Sequence, residues 1–164
     1  MLTTAQLATV KAAILADPAL DAFPNTLDGA FGIAALLNKI SVPDFFVWRT
    51  HVPVSEIMQN GFDWTRVDNL TVGKARIGEW MQLTGTINPA QANVRAGFIA
   101  VFTTAGDLAT RQAIFGHSQR QATQIEKLLS TGSGTTTTDQ GVGPATMGFE
   151  GNISYQDVVI ARNS

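Results

Sequence analysis

The sequence predicts a mainly α-helical protein: a helical bundle with a long antiparallel helix pair, a Gly/Thr-rich loop and an extended C-terminal arm with a short strand. Three observations predict it. Apolar residues recur at helical spacing between clear start and stop signals over residues 1–129. The run Ser130–Thr138 is low in complexity, rich in Gly and Thr, and unsuited to a packed helix. Beyond it the apolar anchors are sparse, chiefly Met147, Phe149 and Tyr155. The expected division is a helical body at 1–129, a flexible loop at 130–144 and a docking arm at 145–164.

The first helix opens on a capping box, Thr3 with Gln6, and Leu2 and Leu7 can close a hydrophobic staple. Leu7, Val10 and Ile14 mark its buried face, and Asp17-Pro18 stops it. Thr26 can cap a second helix with the stripe Leu27, Ala30, Phe31, Ala34 and Leu37. Gly29 and Gly32 weaken that helix by roughly 1 kcal/mol each unless close packing requires them. The aromatic connector Val42–Arg49 suits a short strand or a helical turn. Pro53 opens a short third helix through Gln59, and Asn60-Gly61 ends it.

Phe62–Asn69 reads as a rigid loop or a single turn. Leu70, Gly73, Ile77, Trp80 and Met81 give the stripe of a fourth helix ending near Gly85, with Trp80 expected in the core. Asn88-Pro89 starts a fifth, whose face is Ala90, Val94, Phe98 and Val101. Thr104 and Asp107 cap the longest, expected over 105–129, with Leu108, Phe115, Ala122 and Leu129 at seven-residue steps. Its short connection to the preceding helix makes the two antiparallel. Ala145–Glu150 reads as a short extended piece, and Ser154 with Asp157 caps a last helix over Tyr155–Ala161.

Composition narrows the function classes. A length of 164 residues with 45% hydrophobic and 15% charged residues is one globular domain's worth of chain, not a disordered one. So low a charge content suggests that a partner, or further copies, cover part of the apolar surplus. With no cysteine, a disulfide framework and a thiolate metal site are both excluded. No signal-peptide pattern and no bilayer-length apolar run is present, so a cytoplasmic site of synthesis is expected.

Charge is unevenly spread along the chain. Residues 1–70 hold four basic and seven acidic groups, 71–127 six and three, and 128–164 one and three. Such polarity lets identical copies attract one another.

No catalytic, cofactor-binding or metal-binding residue is assigned. His51 and His117 lack ligand spacing, and Gly141-Val142-Gly143 lacks the third glycine of a dinucleotide turn. Gly132-Ser133-Gly134 lies in the low-complexity run rather than at a strand-to-helix elbow. Asp63 and Asp68 suit turn caps better than an acid–base pair. Arg111, Arg120 and Lys127 are diluted by glutamines and Glu126, which suits a solvated face better than a nucleic-acid stripe. The aromatic-plus-arginine groups Trp48-Arg49 and Phe62-Asp63-Trp64-Thr65-Arg66 carry the residue types enriched at interface centres. Trp48, Arg49, Phe62, Trp64, Arg66, Met147, Phe149 and Tyr155 are therefore the interface candidates, although Trp48, Phe62 and Trp64 equally suit a core.

The segment Asn60–Ile77, followed by Glu79-Trp80, resembles a group of phage and prophage virion proteins. Ala16–Leu20, the Trp48-Arg49 pair and the ending Met147–Val158 match too, so the resemblance spans nearly the whole chain. A helical body with an extended C-terminal arm is similar to the head–tail connector, or adaptor, family. The resemblance implies a non-enzymatic, cofactor-free ring of about twelve copies, assembled in the host cytoplasm and housed in the virion neck. Such a ring docks beneath the portal and above a stopper or tail-completion protein. Packaged DNA passes through its lumen without sequence recognition, and no membrane is involved. In such rings C-terminal arms reach a portal or a neighbouring subunit. The long 131–144 loop departs from the smaller members. Within structural proteins the alternative is a capsid decoration or tail-completion protein. From another class, a DNA-binding packaging or regulatory protein would use the basic excess of 71–127.

Overall fold

The computed structural model describes residues 1–59, 61–63, 65–137 and 140–164, without the side chains of Gln59, Trp80, Met81 and Gln82. The protein is mainly α. Along the chain run α1 (Thr4–Ala16), α2 (Pro18–Asp21), α3 (Leu27–Leu37), β1 (Phe46–Trp48), β2 (Val52–Pro53) and α4 (Val54–Gln59). Then come α5 (Thr65–Asp68), α6 (Val72–Thr84), β3 (Thr86–Ile87), α7 (Ala92–Val101), a 3-10 turn (Ala105–Asp107) and α8 (Leu108–His117). The last elements are β4 (Gln119–Gln121), α9 (Gln124–Leu128), β5 (Ser130–Thr131), β6 (Thr146–Met147) and α10 (Tyr155–Asn163). They divide into two compact units. Unit 1 comprises Met1–Phe45, Gln121–Gly132 and Thr146–Ser164; unit 2 comprises Phe46–Arg120 and Ser133–Ala145.

Unit 1 is built on α1, α3 and α10. The Thr3/Gln6 capping box starts α1, whose Val10 and Ile14 are buried with Leu2. Thr26 caps α3 by accepting from the Gly29 N–H. The buried face of α3 is Gly29, Ala30, Ile33, Ala34 and Leu37, so the expected stripe is rotated and Leu27 and Phe31 point outward. Both glycines are required by packing. A Cβ on Gly29 would meet the Pro24 carbonyl oxygen at 2.0 Å, and one on Gly32 would meet the Phe23 ring at 2.3 Å. The core closes with Ile125 of α9 and with Ile153, Val158 and Ala161 near and on α10.

The expectation of a free docking arm at 145–164 is overturned by this packing. α10 lies against both α1 and α3, with Val158 and Ala161 fully buried. The segment leading to it is tied down residue by residue. β6 pairs antiparallel with β5, Ser130 opposite Met147. Gln6 Nε2 donates to the Gly148 carbonyl at 2.7 Å, and Gly148 N–H to the Leu129 carbonyl at 3.0 Å. Asn38, the C-cap of α3, holds Ile153 both ways: its Oδ1 accepts from the Ile153 N–H at 2.8 Å and its Nδ2 donates to the carbonyl at 3.0 Å. Glu126 is 2% exposed, and its two oxygens accept from the N–H groups of Gly151 and Thr123, each at 3.0 Å.

Unit 2 packs α4, α7 and α8 around Trp48, Ile57, Phe98, Ile114 and Phe115. β1 lies beside β4, and its Val47 bridges to Ala145 in parallel sense. β2 and β3 pair antiparallel, Val52 opposite Ile87. Helix α7 starts at Ala92, later than Asn88-Pro89 predicts, because Asn88 Oδ1 accepts from the Ala90 N–H and holds a turn there.

The single long helix expected over 105–129 is instead a 3-10 turn, α8, the strand β4 and α9, so the long antiparallel pair is absent. Ser118 ends α8: its hydroxyl donates to the Ile114 carbonyl at 2.6 Å and its carbonyl accepts from the Arg49 N–H at 2.9 Å. The expected flexible loop differs too. Phe46 N–H donates to Gly134 O, Gln119 exchanges two hydrogen bonds with Thr137, and Arg95 Nε donates to Gly141 O at 2.9 Å. Thr137, Gly134 and Gly141 are buried. A chain rich in Gly and Thr can be ordered when its backbone groups find partners elsewhere in the fold.

Candidate interaction surfaces

The interface candidates of unit 2 are mostly interior. Trp48 is buried, edge-on to Phe115 at a centroid distance of 6.1 Å, with the Arg95 guanidinium over its ring at 4.7 Å. Phe62 is buried edge-on to Phe102 at 6.0 Å. These aromatics serve the core rather than a partner. Trp64 lies outside the described residues. Arg66 reaches Asp63 at 3.3 Å and shields Gly106, where a Cβ would stand 2.8 Å from a guanidinium nitrogen.

Arg49 belongs to a polar cluster. Its two terminal nitrogens meet the two Glu56 oxygens at 2.5 and 3.0 Å, and one also donates to the His117 carbonyl at 3.0 Å. His117 Nδ1 stands 3.5 Å from Glu56 Oε1. The hydrogen bond from Arg49 holds the Glu56 carboxyl below its ordinary value, with the Arg49 charge and His117 adding to it against the opposing effect of burial. A carboxylate held as an anion in this way is a poor proton donor or acceptor near neutrality. Its geometry clamps α4 to the end of α8.

Arg95, which sequence reasoning did not single out, is the internal staple of unit 2. Besides Gly141 it donates to the carbonyls of Pro89 and Ala90 at 2.6 and 2.9 Å, and burial lowers its pKa. Arg111 donates to the carbonyls of Phe102 and Thr104, and Lys74 to that of Val101. Three cations of the 71–127 excess are thus committed to backbone carbonyls. Among the described residues, no group of three or more His, Asp or Glu side chains is placed to hold a metal.

In unit 1, the three expected anchors face their own chain. Phe149 and Tyr155 pack on the core, Tyr155 stacks on Phe31 at 4.1 Å, and Met147 sits in the β5–β6 pair.

What remains exposed is apolar surface elsewhere. None of the described side chains of α6 is buried; Val72 is 73% exposed and Leu83 83%. Ile77 and Gly78, on another side of that helix, line a small apolar cavity of about 20 Å³ with Phe62 and Phe98. In unit 1, Ile40 and Val42 are 51% and 80% exposed at a groove of about 420 Å³ floored by Leu20 and Leu37. Of the stripe expected for α6, Leu70 and Ile77 line the small cavity, Gly73 is exposed, and the side chains of Trp80, expected in the core, and Met81 lie outside the described residues. The outer stripe shows in the sequence as a spacing: Val72 and Leu83 stand eleven residues apart, three helical turns.

Among the described residues, no helix is long and apolar enough to cross a membrane. In comparisons with protein-family models, curated proteins and solved structures, the chain matches none.

Proposed function

We propose that the chain is a structural subunit of a tailed-phage neck, assembling with copies of itself into a ring that joins the portal to the tail and lines the DNA exit channel. No catalytic step, cofactor or membrane is part of this role. The resemblance over Asn60–Ile77 and at both ends of the chain supports a virion protein. The observation that carries self-assembly is α6, a thirteen-residue helix with no described side chain buried and with Val72 and Leu83 open to water on one side. Covering each such side chain contributes on the order of 1.5–3 kcal/mol before ordering costs. The commitment of Arg95, Arg111 and Lys74 to carbonyls argues against a DNA-binding role, since it engages three of the six cations of that region.

A capsid decoration or tail-completion protein would use the same exposed surface and is separated from the neck reading by location. Labelling purified virions with an antibody to the chain is expected to mark one vertex, at the head–tail junction. Label spread over the shell would favour decoration, and virions without label would discard the virion role.

A further inference from the structure

We propose that one outward stripe of α6 is the surface by which a copy docks on the next, and that its seat is the unit 1 groove of that second copy. This rests on the self-assembly in the neck reading and names the surfaces that make it.

Positions 72, 76, 79 and 83 fall within roughly 60° of one another around a helix. Val72, Arg76, Glu79 and Leu83 are all exposed, so the stripe reads apolar, positive, negative, apolar. Arg76 and Glu79 make no ion pair among the described residues. Ile77 and Gly78 already face the unit 2 cavity, which leaves this stripe as the outward one.

The groove offers the complement. It is concave and apolar-floored, with Ile40 and Val42 exposed and with one exposed anion, Asp17, and one exposed cation, Lys39, in its lining. A second cavity, of about 340 Å³, shares Asp17, Leu20, Leu37 and Gln124 with it and lengthens the seat. Arg76 meets Asp17, Glu79 meets Lys39, Leu83 covers Ile40 and Val42, and Val72, about 16 Å away along the helix, enters the second cavity beyond Asp17.

A second copy is the occupant that the charges favour. Unit 1 carries four basic and seven acidic residues, and unit 2 seven and six, so unit 2 of one copy is drawn to unit 1 of another rather than like to like. Two different patches also make a contact that propagates head to tail, as a ring needs, whereas a self-complementary patch stops at a dimer.

The chain has no cysteine, so introduced ones report cleanly. Full-length Leu83→Cys copies and Val42→Cys copies are mixed in equal amounts and treated with a short bis-maleimide. The mixed adduct is expected to exceed either self-adduct about tenfold. Arg76→Glu in the Leu83→Cys copies is expected to reduce it about tenfold, and Asp17→Arg in the Val42→Cys copies to restore it. Circular dichroism confirms that each variant folds, and the pair Val72→Cys with Ala16→Cys replaces Leu83→Cys with Val42→Cys if either of those does not. A mixed adduct no more abundant than the self-adducts, or one indifferent to Arg76→Glu, overturns the docking. The neck reading fails separately: label at the neck without a mixed adduct sinks the docking alone, and a mixed adduct with virions free of label sinks the neck role alone.

Discussion

At the scale of single residues, the fold is held by carboxylates that accept from backbone N–H groups, and acid should find them. Burial pushes the Asp157 carboxyl up, but hydrogen bonds from the Ser154 hydroxyl and the N–H groups of Leu2 and Ser154, with the N-terminal ammonium, outweigh it and leave the pKa below 3.8. Asp107 behaves alike: burial is overcome by Thr104, Arg66 and Arg111. Glu56 lies below 4.5, chiefly through Arg49. Depressed folded values stabilise the protein fully above the unfolded values. That contribution fades as pH falls below 4.5 for Glu56 and 3.8 for the aspartates, and is gone below the folded values. Urea midpoints measured from neutral pH downward should drop across this window, and Asp157→Asn should flatten the drop; an undiminished drop would remove Asp157 from the account. A second residue-scale case is Thr110, wholly buried in α8 with a hydroxyl that has no hydrogen-bond partner among the described residues. Thr110→Val keeps the shape and removes the orphan, so thermal melting should show a gain of about 1 kcal/mol. A loss would mean that the hydroxyl is satisfied after all.

At the scale of elements, what was legible in the sequence was local, and what was missed was not. The capping boxes at Thr3/Gln6, Thr104/Asp107 and Ser154/Asp157 all form, because each involves residues three apart. The break at Ser118 escaped because Gln119–Gln124 has no helix-stopping residue, and the seven-residue apolar spacing runs straight through it. The competing interaction is the pairing of Gln119–Gln121 with β1, some seventy residues earlier, which no local pattern announces. One clue was present, a further capping box at Thr123/Glu126 that restarts the helix as α9. The C-terminal segment departs from expectation for a related reason: Met147, Phe149 and Tyr155 stand out as its anchors in the sequence, while Ile153, Val158 and Ala161 bury most deeply against distant elements. Deleting 145–164 should therefore unfold unit 1, read as a large loss of helical circular dichroism. A truncated chain that kept its helices would reinstate the independent arm.

At the scale of the whole molecule, two units are threaded by one chain that crosses between them at 45/46, 120/121, 132/133 and 145/146. Sequence composition shows a single domain's length with one Gly/Thr-rich loop at 130–144, and no local pattern shows that the first 45 residues belong with the last 19. The α6 stripe shows in the sequence only as the eleven-residue spacing of Val72 and Leu83, and the Ile40–Val42 groove depends on the packing of Leu20 and Leu37 beneath it, which no local pattern announces. The interleaving has a consequence for synthesis. Unit 2 is complete once Ala145 has left the ribosome, whereas α1 and α3 must wait for Val158 and Ala161. Unit 1, which starts before unit 2 along the chain, is thus completed after it, and until then the apolar faces of α1 and α3 stay open to water.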